Sequence, residues 1–136
     1  MVVKCVVNTI EGALLHGLQS YRIEDHFHYA PTFPLLNLGQ EYAVCGFLLT
    51  ARGIWVFILE DEQDAYPLQY PLSFFDIVDA TISSDWVTGK GEGFSSVSRK
   101  VFALLAPKEW ANNERFYEEL VDGEPQVVAA FKKMYR

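Results

Sequence analysis

From Leu38 onward short, nearly continuous apolar runs are separated by polar and glycine-containing turns, and near the C-terminus the apolar positions take the spacing of a helix. Val2 to Val7 is short and β-branched and predicts a strand that pairs with something further along. Gly39 precedes a predicted strand over Glu41 to Leu49. Thr50-Ala51-Arg52-Gly53 makes a turn, and Ile54 to Leu59 returns as the antiparallel partner. In that second strand Ile54, Val56 and Ile58 alternate with Trp55, Phe57 and Leu59, so both faces are apolar. Such a strand belongs in the middle of a sheet, one face on the core and the other under a second layer. Glu60-Asp61-Glu62-Gln63-Asp64 then predicts a polar turn. Tyr70 to Val78, apolar but broken by Pro71, predicts a bend leading into a short edge strand. Thr81 to Val87 and Phe94 to Leu105 predict two more strands around a flexible Gly89-Lys90-Gly91-Glu92-Gly93 link. Earlier in the chain, Ile10, Leu14, Leu15 and Leu18 fit a helical face that Gly12 and Gly17 weaken, and Asp25 to Pro34 reads as an extended excursion.

After Pro107 the pattern becomes helical. Asn112 or Asn113 caps a short helix with Phe116, Tyr117, Leu120 and Val121 on one side, and Arg115 is placed to pair with Glu119 one turn on. Asp122-Gly123 ends it. A second helix starts near Pro125 and sets Val127, Val128, Phe131 and Met134 or Tyr135 opposite Lys132 and Lys133. These elements predict an α+β fold: a strongly twisted antiparallel sheet or small β-barrel, with two short C-terminal helices packed on it. No repeat or long linker divides residues 1–136, so a single domain is expected.

At 136 residues, 50% hydrophobic and 21% charged, the chain has the composition of a packed globule and not of a disordered segment. No apolar run reaches the roughly 20 residues of a membrane helix, and the first residues lack the pattern of a secretory signal. A soluble, cytoplasmic protein without a membrane partner is therefore expected. Cys5 and Cys45, forty residues apart, form neither a disulfide framework nor a cysteine zinc motif, and buried reduced thiols are expected.

The charge distribution is more specific than the composition. From Gly53 to Gly89 there are seven acids (Glu60, Asp61, Glu62, Asp64, Asp76, Asp79 and Asp85) and no Lys or Arg, while the rest of the chain carries 11 acids and 11 bases. The whole net charge of −7 thus resides in these 37 residues. An acidic chain is unsuited to the phosphate backbone, so a nucleic-acid partner is not expected. The aromatics Tyr42, Phe47, Trp55, Phe57, Phe74 and Phe75 accordingly read as core and not as a stacking platform. A field of one sign instead accelerates encounter with a basic protein, provided the acids share one face of the folded chain.

No pattern for catalysis emerges, so no enzyme activity and no cofactor are expected. His26 and His28, at i and i+2, would point the same way on an extended segment, but two ligands do not make a metal site. Asp25 beside them has no nucleophile in a GxSxG elbow to serve. The 60–64 acids lack the glycine and terminal glutamate of a calcium loop. The Gly89–Gly93 stretch lacks the GK[ST] ending of a phosphate loop.

The stretches Leu38-Gly39-Gln40-Glu41-Tyr42-Ala43-Val44-Cys45-Gly46, Gly53-Ile54-Trp55, Leu59-Glu60-Asp61 and Tyr70-Pro71-Leu72-Ser73-Phe74-Phe75-Asp76-Ile77-Val78-Asp79 resemble a pattern of small bacterial proteins with a curled antiparallel sheet. Some of those resemble the immunity proteins that accompany secreted toxins. Glu109-Trp110, Phe116-Tyr117 with Leu120 and Asp122-Gly123, and Val128 with Phe131 are similar to the ending of such proteins, and the likeness covers about half the chain. Gln40 stands where lysine is usual, Cys45 where an aromatic or aliphatic residue is common, and the pattern supplies no catalytic residue. The resemblance implies a protein-binding module, an immunity-type inhibitor blocking a basic partner such as a toxin domain. Together with the charge it gives a candidate partner surface of Glu60, Asp61, Glu62, Asp64, Asp76, Asp79 and Asp85, with Tyr66, Tyr70 and Trp86 as exposed aromatic anchors. The alternatives are an assembly protein that homodimerises through a sheet edge, and a small metal-dependent hydrolase using His26 and His28.

Overall fold

The computed structural model describes residues 1–8, 36–97 and 99–135. His16, Asp25, His26 and His28, and the helical face at Ile10 to Leu18, lie outside the described residues, so the metal-hydrolase alternative does too.

The architecture grows from one long strand. β2 (Glu41–Thr50) pairs through its second half with β3 (Gly53–Ile58), closing a hairpin in which Thr50 Oγ1 donates to the Gly53 carbonyl at 2.8 Å. Gly53 sits at φ +102, a backbone region that side-chain-bearing residues rarely enter, which is why a glycine ends this turn. On its other edge β2 carries β1 (Val2–Cys5) along Glu41 to Ala43 and β7 (Val101–Pro107) along Phe47 to Thr50. β4 (Leu68–Pro71) flanks β3, β5 (Phe75–Asp79) flanks β1, and β6 (Trp86–Gly89) flanks β7. All pairings are antiparallel. The expected bend after Tyr70 is a single 3₁₀ turn, Leu72–Phe74, between β4 and β5.

This seven-stranded sheet is strongly curled but open, which decides between the two architectures left by the sequence. β4 and β5 approach through side chains, Tyr70 packing edge-on against Phe75 with ring centroids 6.4 Å apart, without a hydrogen-bonded ladder to close a barrel. Val3, Val44, Phe47, Val56, Ile58 and Phe74 fill the concave side. Cys45, Leu48, Trp55, Phe57 and Leu104 face the other way, beneath the helices. Within the double-sided apolar pattern of residues 54–59, Trp55 to Ile58 are buried between two cores, while Ile54 is exposed.

Three helices cover that second face: α1 (Lys108–Ala111), α2 (Phe116–Val121) and α3 (Pro125–Tyr135). α1 adds one turn that the apolar spacing did not reveal. Asn113 accepts the Arg115 N–H through its Oδ1 at 3.0 Å ahead of α2, and Arg115 pairs with Glu118 at 3.6 Å where Glu119 was expected. Phe57 is the hub of this layer, with Trp110 at 4.8 Å, Phe94 at 5.2 Å and Tyr117 at 5.5 Å between centroids. Of the strands expected at Thr81 to Val87 and Phe94 to Leu105, the first is realised only from Trp86, as β6, and the second only from Val101, as β7; before β7, Ser96 and Arg99 make one isolated bridge. Nor is the glycine link slack. A Cβ on Gly89 would stand 2.1 Å from the Ala111 carbonyl oxygen, so the missing side chain is what lets β6 lie against α1.

Arg99 is buried and stacks over Trp55, 4.9 Å from the ring centroid. Its Nη2 donates to Gln69 and to the Phe94 carbonyl, fixing the Glu92 to Arg99 loop on the sheet, while Nε and Nη1 have no partner among the described residues. Cys5 and Cys45 are buried and form no disulfide, and burial pushes the Cys5 thiol up.

Candidate functional site

The β2–β3 hairpin places the start of β2 beside the turn that follows β3. There a cleft of about 590 Å³ opens, lined by Glu41, Glu60, Asp61 and Glu62 together with Tyr42 and Tyr135. Tyr135 reaches it from the last turn of α3, its hydroxyl donating to the Cys45 carbonyl. The register of β2 with β3 passes from Val44 to Gly46, skipping Cys45, and this bulge is where the tyrosine anchors the helix to the sheet. Burial pushes the Tyr135 phenol up.

The turn that supplies most of the acids is built by the acids themselves. The Asp61 N–H donates to Asp64 Oδ2 at 2.9 Å, and the Gln63 N–H to Asp61 Oδ1 at 2.8 Å. Carboxylates that accept backbone N–H groups hold a tight turn in place. Glu60 differs from its neighbours because it is half-buried and accepts a hydrogen bond from the Tyr70 hydroxyl. Burial raises its carboxyl above the ordinary range and the adjacent Asp64 pushes the same way, against the stabilising Tyr70 bond. Tyr70 in turn is held protonated, first by burial and then by Glu60.

Not all seven acids share this place. Asp76 on β5 stands opposite Lys4 of β1, and Lys4 also faces Glu41 on β2. Asp79 accepts the Thr81 N–H at 2.8 Å, which with the nearby N-terminal amine holds its carboxyl below the usual range. The continuous acidic stretch is therefore divided. Glu60, Asp61 and Glu62 line the cleft with Asp64 in the same turn, Asp85 directly precedes β6, and Asp76 and Asp79 lie along β5.

The expected aromatic anchors require correction. Tyr70 is 3% exposed, in the concave core, because β4 turns that side of the strand inward. It positions Glu60 and presents no surface. Tyr66 is half-buried against Tyr117, with centroids 6.2 Å apart, and Trp86 is half-buried edge-on to Phe47 at 5.9 Å. Both are anchored to the protein's own core.

Glu41 and Tyr135 are the cleft residues the sequence reading missed. Glu41 was within reach of simple arithmetic: the hairpin pairing Thr50 with Gly53, continued back along both strands, brings residue 41 opposite 61 or 62. No local signal places Tyr135, which arrives only by packing of α3. Among the described residues no group of three or more His, Cys, Asp or Glu is arranged to hold a metal ion, and no helix is long and apolar enough to cross a membrane. No protein-family model, curated protein or solved structure matches the chain.

Proposed function

We propose that this protein is a binding module whose acidic cleft receives a cationic segment of a partner protein. Supporting the reading is the convergence of Glu41, Glu60, Asp61 and Glu62 around Tyr135, in a chain whose net charge resides in residues 53–89. Carboxylates on a concave surface attract and orient a basic partner, and the partly apolar floor supplies contact once water is displaced. The specific form suggested by the sequence resemblance is an immunity-type inhibitor that occludes the basic surface of a toxin domain. Two buried cysteines outside any disulfide suit the reducing cytoplasm as its compartment.

Zero-length carbodiimide coupling, which joins carboxylates to lysines in direct contact, tests this in extracts of cells that naturally make the protein. Coupling should run from Glu41, Asp61 or Glu62 to lysines of one partner, and should fade when salt rises from about 0.05 to about 0.5 M, because added ions screen the attraction. Coupling confined to distant acids such as Asp122 and Glu124, or unaffected by neutralising Asp61 and Glu62, would refute the cleft as the binding site.

A further inference from the structure

The last turn of α3 belongs to the fold and to the cleft at once. Tyr135 ties it to the sheet, its hydroxyl donating to the Cys45 carbonyl at the β2 bulge, and the same tyrosine lines the cleft with Glu41, Glu60, Asp61 and Glu62. Side-chain burial alone holds that turn weakly. Phe131 is fully buried, but of the residues after it Lys132 and Lys133 are exposed, and Met134 and Tyr135 are half-buried. The Tyr135 ring packs on Phe131 with centroids 4.8 Å apart, so one turn of helix supports the ring while the hydroxyl reaches across to β2. The acids on the other side of the cleft are braced differently. Glu41 begins a paired strand opposite Lys4, and the 60–64 turn is closed by its own carboxylates.

Helix ends open locally at far lower cost than the molecule unfolds. When the last turn of α3 opens, Tyr135 leaves Cys45 and the cleft loses that wall in the same event. A ligand seated between the tyrosine and the acids touches the wall only in the closed form. It therefore binds that form more tightly, and by linkage it draws the turn toward closure. We propose that the last turn of α3, pinned through Tyr135 to Cys45, is a hinged wall of the acidic cleft that occupancy of the cleft locks shut. The hinged wall rests on the reading of the cleft as the binding site, and adds that binding there is passed on to α3.

The probe is tetralysine, added to the whole protein, with amide chemical shifts and hydrogen exchange followed residue by residue. Shift changes at Asp61 and Glu62 report entry into the cleft and yield a Kd, while exchange at residues 132–135 reports the turn. With only the closed form binding, peptide at ten times its Kd should slow those amides by about elevenfold. Amides of the 92–99 loop, which does not line the cleft, should keep their rates. Tyr135→Phe retains the ring against Phe131 and removes the hydroxyl. Without peptide it should speed exchange at residues 132–135 roughly three- to tenfold, the effect of losing one hydrogen bond. Unchanged exchange in this variant would overturn the pin. Shifts at Asp61 and Glu62 with no slowing at residues 132–135 would overturn the hinged wall and leave the cleft as the binding site. Absence of any shift at residues 41 and 60–62 in millimolar peptide would overturn both.

Discussion

Glu60 shows how one residue can belong to both core and surface. Its backbone leaves β3 for the exposed turn, while its carboxyl turns back under Tyr70 and beside Asp64. Folding raises its pKa, so the native protein binds its proton more tightly than the unfolded chain does. The stability linked to this group is therefore full below the unfolded value of about 4.3 and is lost as pH rises through the folded value. Glu60→Gln keeps an acceptor for the Tyr70 hydroxyl and removes the titration. In urea unfolding, the difference in stability between variant and wild type should shift toward the variant between about pH 4 and about pH 7.5. A difference that stays constant over that range would show that Glu60 does not carry the linkage. The acids of the 60–64 turn were legible as residues, because a polar run between apolar strands marks a turn whatever the fold. That Glu60 is the acid that meets Tyr70 was not legible, since it depends on which side of β4 faces the core.

At the scale of elements, periodicity carried most of the information. Residues 41–50 and 53–58 form the expected hairpin, and the apolar stripe of Val127, Val128, Phe131 and Met134 packs α3 against the outer face of the sheet. α3 bears on the candidate site because its last turn carries Tyr135 into the cleft. Phe131, 1% exposed, is its one fully buried side chain. Removing that ring should cost about 3–5 kcal/mol, the usual penalty for emptying a large aromatic from a core. Phe131→Ala should therefore lower the urea midpoint and, by loosening α3, also weaken binding at the acidic cleft. Stability within about 1 kcal/mol of wild type would mean that the helix is not docked as described. Where periodicity failed, the cause was local: α1 spans only four residues, too few to display a stripe, and Phe94 packs against Phe57 from a 3₁₀ turn and not from a strand.

Over the whole molecule, β2 gathers partners from distant parts of the chain: β1 from the beginning, β3 beside it, and β7 about fifty residues further on. A sheet assembled from remote segments must close long loops before its contacts form, so refolding should take milliseconds to seconds and not the microseconds typical of small helical bundles. Stopped-flow fluorescence of the buried Trp55 and Trp110 would follow it, and completion within about 100 μs would contradict this topology as the folding constraint. The same wiring separates what was legible from what was not. The sequence by itself determined the β2–β3 hairpin and the last two helices, the two-sided burial of residues 55–58 and the confinement of net charge to residues 53–89. Each of these follows from side-chain period and composition over a few neighbouring positions, which every compact arrangement of the chain must respect. Only the tertiary structure decided that the sheet stays open, that Tyr70 is enclosed, that Glu41 and Tyr135 join the acids of the 60–64 turn, and that Asp76 and Asp79 lie apart on β5. Those outcomes depend on strand order, a bulge at Cys45 and the docking of α3, which arise from packing between segments far apart in the chain and leave no local periodic trace.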